Sequence, residues 1–246
     1  MREEMIIHLK KMRLSVMADT YLKQAENPNE DLRSFDERFE DIVEAEWLSR
    51  YNKKLNRFIR KATLKYPYAD FDKTLYEPDR LLDTAVIEAL QKLNWIPEAR
   101  NILITGATGA GKSYLANALC VCAIKKFYRV RYIKASAVIH ELERAEIAKY
   151  FEDTLEQYSS YDVLAIDDFG LMELDIDKCR NLFELIDSRE GRKPTIIISQ
   201  LPVSSWYDLF KDNTYADASM DRLVHKAYRI EMNGRNMRNP DSMKKE

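Results

Sequence analysis

Glycine, cysteine and histidine are scarce in this chain, at 6, 3 and 3 of 246 residues. Cys120 and Cys122 point in different directions on one helical pattern and Cys179 stands alone, which excludes a disulfide framework and lacks zinc spacing. They read as reduced thiols in a packed interior. His8, His140 and His225 are scattered, so neither a histidine metal site nor a Ser/His/Asp or Cys/His triad emerges. No apolar run approaches the roughly 20 residues that span a bilayer, and charges run through Met1 to Arg13 where a signal peptide would be apolar. The expectation is a cytoplasmic protein with no membrane partner. An excess of one charge is also missing: Lys and Arg number 39 against 41 Asp and Glu, a net charge of -2. Any nucleic-acid affinity must therefore come from a local patch or from assembly.

Half of the few glycines fall together. The stretch from Asn101 to Ser113 reads NILITGATGAGKS, an apolar run followed by Gly106, Gly109, Gly111, Lys112 and Ser113. This is a G-x4-G-K-S phosphate loop between a buried strand and a helix expected over Tyr114 to Lys125. The pattern assigns Gly106, Ala107, Thr108, Gly109, Ala110, Gly111, Lys112, Ser113 and Tyr114 to nucleotide binding. Backbone N–H groups curl around a polyphosphate, the helix N-terminus adds its positive end, Lys112 spans the β and γ phosphates, and Ser113 offers its hydroxyl to Mg²⁺. A glycine turn before an amphipathic helix would require neither the Lys nor the Ser. ATP and Mg²⁺ are the expected cofactors.

Taken in order, the chain opens with a helical run from His8 to Ala25 that Asn27-Pro28-Asn29 breaks. Ser34 and Glu37 form a capping box for a long helix whose apolar face includes Phe35, Phe39, Ile42, Val43 and Trp47. Its second half is basic, from Arg50 to Lys65, and Arg50, Lys54, Arg57 and Lys61 share one face. That face is either solvated or a contact surface for DNA phosphates. Tyr66-Pro67-Tyr68 ends the helix and a linker or strapped loop follows. Residues 1–66 thus read as a helical domain, 67–80 as a linker and 81–246 as a nucleotide-binding domain.

Within that domain, a helix is expected over Leu81 to Leu93 and strands over Val130 to Lys134, Val163 to Ile166, Thr195 to Ser199 and Tyr228 to Met232. Helices are expected over Ala137 to Glu143, Ala148 to Tyr158, Lys178 to Arg189, Trp206 to Phe210 and Ala218 to His225. Alternation of this kind predicts an α/β fold with a parallel, doubly covered sheet and ligands at the carboxyl ends of the strands. Asp167 and Asp168 follow the third strand and point to opposite faces. Asp167 is expected beside the magnesium; Asp168 leans to the γ-phosphate and orients the attacking water. Gln200, ending the next strand, is placed to sense the γ-phosphate or the lytic water. Arg222 has two readings, a salt bridge or an arginine finger inserted into a neighbouring subunit's site. Only 24 residues follow it (246 − 222), too few for a helical lid.

GATGAGKS, VLAIDDFG, ISQLPVSSW and MDRLVHKAYRIEMNG, in this order behind FDERFEDIVEAEW, resemble the IstB-type helper ATPases of insertion-sequence transposons. These are similar to DnaC-type helicase loaders, in the initiator and loader branch of the AAA+ ATPases. The resemblance spans about Leu9 to Met237. It implies a five-stranded AAA+ core without a C-terminal lid, behind a small all-α domain, and an added helix within Ala135 to Tyr158 that faces nucleic acid. Lys134 and Arg144 border or lie on that element and join the candidate DNA contacts. Arg222 matches the family's arginine finger and Gln200 its polar sensor. At Gly234-Arg235-Asn236-Met237-Arg238 the chain departs from the Gly-Glu-Ser-x-Arg ending common in such helpers. The implied partners are double-stranded DNA, an IstA-type transposase and further copies of the chain, assembled with ATP. A DnaC-like helicase loader is the alternative, and a small-molecule kinase would need an acceptor pocket and a mobile lid that the sequence does not reveal.

Overall fold

The computed structural model describes residues 2–73 and 82–233, and by contacts the chain divides into two compact units, Met1–Arg57 and Phe58–Glu246. The first unit contains α1 (Arg2–Lys11), α2 (Ser15–Glu26), a 3-10 turn (Pro28–Leu32) and most of α3 (Phe35–Ala62). The single helix expected over His8 to Ala25 is therefore two. Arg13 takes φ 62 and closes α1 in a Schellman motif, with Leu14 N–H bonding Leu9 O at 2.8 Å and Arg13 N–H bonding Lys10 O at 3.0 Å. The cap that restarts the chain comes from α3. Glu46 accepts from Val16 N–H and Met17 N–H at 3.0 and 3.1 Å, and Arg50 joins it to Arg13 O with bonds of 2.7 Å each. Burial works against the Glu46 carboxylate, yet Arg50 and the two amides hold its pKa below the ordinary glutamate value. A cap supplied from 30 residues away leaves no local signal.

The capping box of α3 forms as read: Ser34 N–H bonds the Glu37 carboxylate at 2.9 Å and Glu37 N–H bonds Ser34 Oγ at 3.3 Å. The helix ends at Ala62, where Thr63 takes φ 54. Its last turn belongs to the second unit, with Phe58 edge-on to Phe127 at 5.8 Å. The division thus falls inside α3, ahead of residue 66.

The second unit continues with α4 (Thr84–Gln91), β1 (Ile102–Gly106), α5 (Lys112–Lys125), β2 (Val130–Lys134), α6 (Ala135–Ile147), α7 (Phe151–Ser160), β3 (Val163–Phe169), α8 (Ile176–Arg189), β4 (Thr195–Ser199), α9 (Asn213–Val224) and β5 (Tyr228–Met232). The strands form one parallel sheet in the order β2-β3-β4-β1-β5. Both faces are covered, which is why the inner strands are continuous apolar runs. Leu103, Leu164, Ile166 and Ile197 pack with α6, α7, α8 and α9. The opposite face receives α5, which is buried nearly all round, from Leu115 to Ile124.

Three expected elements differ. Helix α9 starts at Asn213 rather than Ala218, where Asp212 caps it by accepting from Thr214 N–H and Tyr215 N–H. No continuous helix forms over Trp206 to Phe210; Val203–Ser205 and Tyr207–Leu209 are separate 3-10 turns. Trp206 is fully buried against Phe169 and its indole N–H bonds Leu201 O at 3.1 Å, so tertiary packing sets the local backbone. The third strand runs on to Phe169, with a shift in register between Ile166 and Phe169. Expected residue Leu81 and the segment Gly234 to Arg238 lie outside the described residues.

Arg189 ties the outer layer to the sheet. Its guanidinium donates to Tyr158 O at 2.6 Å, Tyr161 O at 3.0 Å, Pro194 O at 2.7 Å and Thr195 Oγ1 at 3.1 Å. Burial lowers its pKa, with Asp162 opposing. Replacing Arg189 by alanine strands buried carbonyls and should destabilise folding by ~3 kcal/mol. Chemical unfolding measures this, and Arg189→Lys should restore only part, because an ammonium cannot reproduce the planar fork.

Candidate nucleotide site

The carboxyl end of the sheet gathers most of the residues singled out above. At the end of β1, Gly106 takes φ 137 and lies in register with Met232 of β5. A Cβ there would fall 2.0 Å from Met232 O, so the close backbone approach requires glycine. Gly109 and Gly111 turn the loop with φ 86 and 93, and Gly111 is the left-handed residue immediately before α5. The loop thereby presents the open N–H groups of a 14-residue helix toward one spot. Lys112, largely buried, folds back so that Nζ donates to Ala107 O at 2.8 Å. An anion entering the loop offers that ammonium stronger acceptors than a carbonyl.

Beside the loop, Asp167 is buried at 2% exposure, on the α5 face of β3. Its Oδ2 accepts from Ser113 Oγ at 2.9 Å and from the Tyr132 hydroxyl, while Oδ1 accepts from Asp168 N–H at 2.8 Å. A hydroxyl whose proton is taken by a carboxylate keeps its lone pairs for a cation. One hydroxyl and one carboxylate beside a polyphosphate cradle form the hard oxygen donor set that suits Mg²⁺, which keeps several waters and takes few protein ligands.

Asp168 occupies the left-handed region with φ 58, a conformation Asp tolerates better than most residues and one that concentrates at functional sites. The turn separates its side chain from that of Asp167. Asp168 Oδ2 meets Lys134 Nζ at 2.9 Å, and the hydrogen bond raises the lysine pKa. Gln200, at the end of β4, reaches the loop, its Oε1 accepting from Thr108 Oγ1 at 2.6 Å. The Tyr114 hydroxyl turns toward Asp70, bonding its N–H at 3.2 Å and its carbonyl at 3.3 Å.

Arg222 is elsewhere. Its carbonyl accepts from Asn101 Nδ2 at 3.0 Å, at the start of β1, whereas the phosphate loop leaves the end of that strand. Five residues of strand separate the two by roughly 16 Å. The side chain bonds Asp187 at 2.7 Å and Glu190 at 3.2 Å and lies over Phe183. Among the residues read as DNA contacts, Arg50 serves the α1–α2 junction, Lys134 pairs with Asp168, and Lys54, Arg57, Lys61 and Arg144 are exposed.

Comparison with known proteins fits this geometry. The model of the IstB-like ATP binding protein family matches residues 7–245. The chain belongs to this family. A Sinorhizobium fredii protein named as an insertion-sequence ATP-binding protein is 35% identical over 230 residues, covering 94% of this chain and 92% of the relative. Among solved structures, the DnaC helicase loader superposes with a TM-score of 0.56 at 18% identity, over 67% of this chain and 97% of that one. AMPPCP-bound DnaA from Aquifex aeolicus gives 0.58 at 20% identity, over 70% of this chain and 52% of that one. The fold is that of the AAA+ ATPases, and this IstB-like protein is an ATPase that binds ATP.

Two polar residues of the site were missed from the sequence. Asn117, fully buried, bonds Ser113 O at 2.6 Å through Nδ2 and accepts from Tyr66 N–H at 3.1 Å. Its i+4 spacing from Ser113 was a usable signal. Tyr132 had none, because only strand register brings β2 beside Asp167.

Proposed function

We propose that this protein is a transposition helper: ATP binding assembles it on double-stranded DNA, and the assembly recruits and stimulates an IstA-type transposase in the cytoplasm. The observation that carries the reading is the division of the site within an insertion-sequence family. Lys112, Asp167 and Gln200 converge on one loop, while the Arg222 backbone lies at the other end of β1. A second copy that brings its Arg222 to this loop completes the site, which makes hydrolysis a property of the assembly.

In this mechanism the loop amides and Lys112 grip the β and γ phosphates. Ser113 and Asp167 hold Mg²⁺, which screens the phosphate charge when bound. Asp168 leaves Lys134, an exposed ion pair worth about 0–1 kcal/mol, and orients the attacking water. Gln200 exchanges Thr108 for the γ-phosphate or that water. Arg222 from the neighbour stabilises the transition-state charge.

Lys54, Arg57 and Lys61 supply phosphate contacts from α3, Lys134 from the end of β2 and Arg144 from α6. Sedimentation on duplex DNA with and without ATP, with phosphate release followed in parallel, tests the proposal. Assembly and release should both require ATP and duplex, and the protein should co-precipitate with the transposase. Co-precipitation with a replicative helicase instead would favour a loader. Charge reversal at Arg57 and Lys61 should weaken DNA binding and reduce the slope of log affinity against log salt by about two for B-DNA. An unchanged slope would return that helix face to solvent.

A further inference from the structure

The side chain that anchors Asp167 from the far side belongs to neither the phosphate loop nor the acidic pair. Tyr132 lies on β2, paired in register with Ala165, and so faces the same side of the sheet as Asp167 two residues on. The ring is buried at 6% exposure, and its backbone carbonyl accepts from Thr63 Oγ1 at 2.6 Å. Its hydroxyl donates to Asp167 Oδ2, the oxygen that also takes the Ser113 proton at 2.9 Å. The other oxygen, Oδ1, is occupied by Asp168 N–H at 2.8 Å.

These bonds determine how the carboxylate can act. With two donors on Oδ2 and one on Oδ1, Asp167 cannot swing about its terminal torsion without breaking a buried hydrogen bond. Its fixed orientation directs the Ser113 proton inward and leaves the serine lone pairs facing the loop. Removing the Tyr132 hydroxyl leaves Oδ2 with a single protein donor, and the carboxylate is then free to turn away from its present orientation. The serine proton loses its fixed acceptor in that movement.

We propose that Tyr132 is a positioning residue for the metal: its hydroxyl holds Asp167, and through it Ser113, in the arrangement that binds Mg²⁺ beside the nucleotide. The inference rests on reading Ser113 and Asp167 as the metal pair.

The test is Tyr132→Phe, which keeps the ring and removes only the donor. Mn²⁺ binding to the full-length protein saturated with ADP, followed by electron paramagnetic resonance, is the readout, with ADP affinity in EDTA measured alongside. Second-sphere partners of metal ligands typically change metal affinity by about 10–100-fold, so Mn²⁺ binding should weaken at least tenfold. ADP affinity in EDTA should stay at the parental value, which also shows that the variant is folded. Parental Mn²⁺ affinity in Tyr132→Phe overturns the inference, as does an equal loss of ADP affinity in EDTA. Ser113→Ala and Asp167→Asn separate the two levels. If both leave Mn²⁺ binding intact, the metal pair itself is wrong; if both weaken it while Tyr132→Phe does not, only the role of Tyr132 fails.

Discussion

Replacing Lys112 by alanine is expected to remove ATP binding at micromolar nucleotide while leaving the fold in place. The ammonium sits at the mouth of α5 and donates to Ala107 O, 2.8 Å away. Ala107 is exposed, so water replaces the lost donor there. The bound state loses far more. Two charge-assisted hydrogen bonds to phosphate oxygens, at about 1.5–3 kcal/mol each, give a deficit of at least 3 kcal/mol, or more than about a hundredfold in affinity. Titration with a fluorescent ATP analogue, beside a thermal unfolding curve, separates the two effects. Parental affinity with an unchanged melting temperature would remove Lys112 from the site. Assembly on DNA should disappear with nucleotide binding, since the proposal makes ATP the switch for both.

Replacing Arg222 by alanine is expected to lower kcat in the assembled state by about 10³-fold or more, the scale on which arginine fingers act. Nucleotide binding to the isolated chain should be unaffected, because Arg222 lies at the other end of β1 from its own loop. The ion pairs to Asp187 and Glu190 are no obstacle to a role in a neighbour's site. Arg222 is a quarter exposed and its acidic partners nearly half, and pairs of this kind contribute about 0–1 kcal/mol, less than a desolvated triphosphate offers the same guanidinium. The sharpest measurement mixes two inactive proteins. Arg222→Ala retains an intact loop and Lys112→Ala retains the arginine, so joint assembly on DNA should restore hydrolysis at the sites where one supplies each part. Should Arg222→Ala alone hydrolyse ATP at the parental rate, Arg222 is a surface salt-bridge residue; should both variants and their mixture be inactive, the arginine is not supplied by a neighbour.

Elements with strong local signals were legible without the structure. Val130–Lys134, Thr195–Ser199 and Tyr228–Met232 are strands over the expected residues: Thr195–Ser199 is an apolar run buried inside the covered sheet, and the other two are edge strands that mix apolar with charged residues. The Ser34–Glu37 box marks the start of α3 through bonds that span three residues. Where the decisive partner was distant, reading failed. The α1–α2 break depends on Glu46, and the turns around Trp206 depend on the burial of its ring against Phe169. The strand carrying Asp167 and Asp168 continues to Phe169 because the left-handed backbone at Asp168 absorbs the shift in register.

By itself, then, the sequence determined that the chain binds a nucleoside triphosphate in a parallel α/β domain. The phosphate loop is a contiguous backbone motif, and its glycines, lysine and serine act at fixed spacing along the chain. Tertiary structure alone decided which groups share that loop. Strand register carries the Tyr132 hydroxyl to Asp167, the end of β4 carries Gln200 to Thr108, and α9 takes Arg222 to the opposite end of β1. Each is a contact between residues far apart in sequence, and such contacts are set by the packing of whole elements.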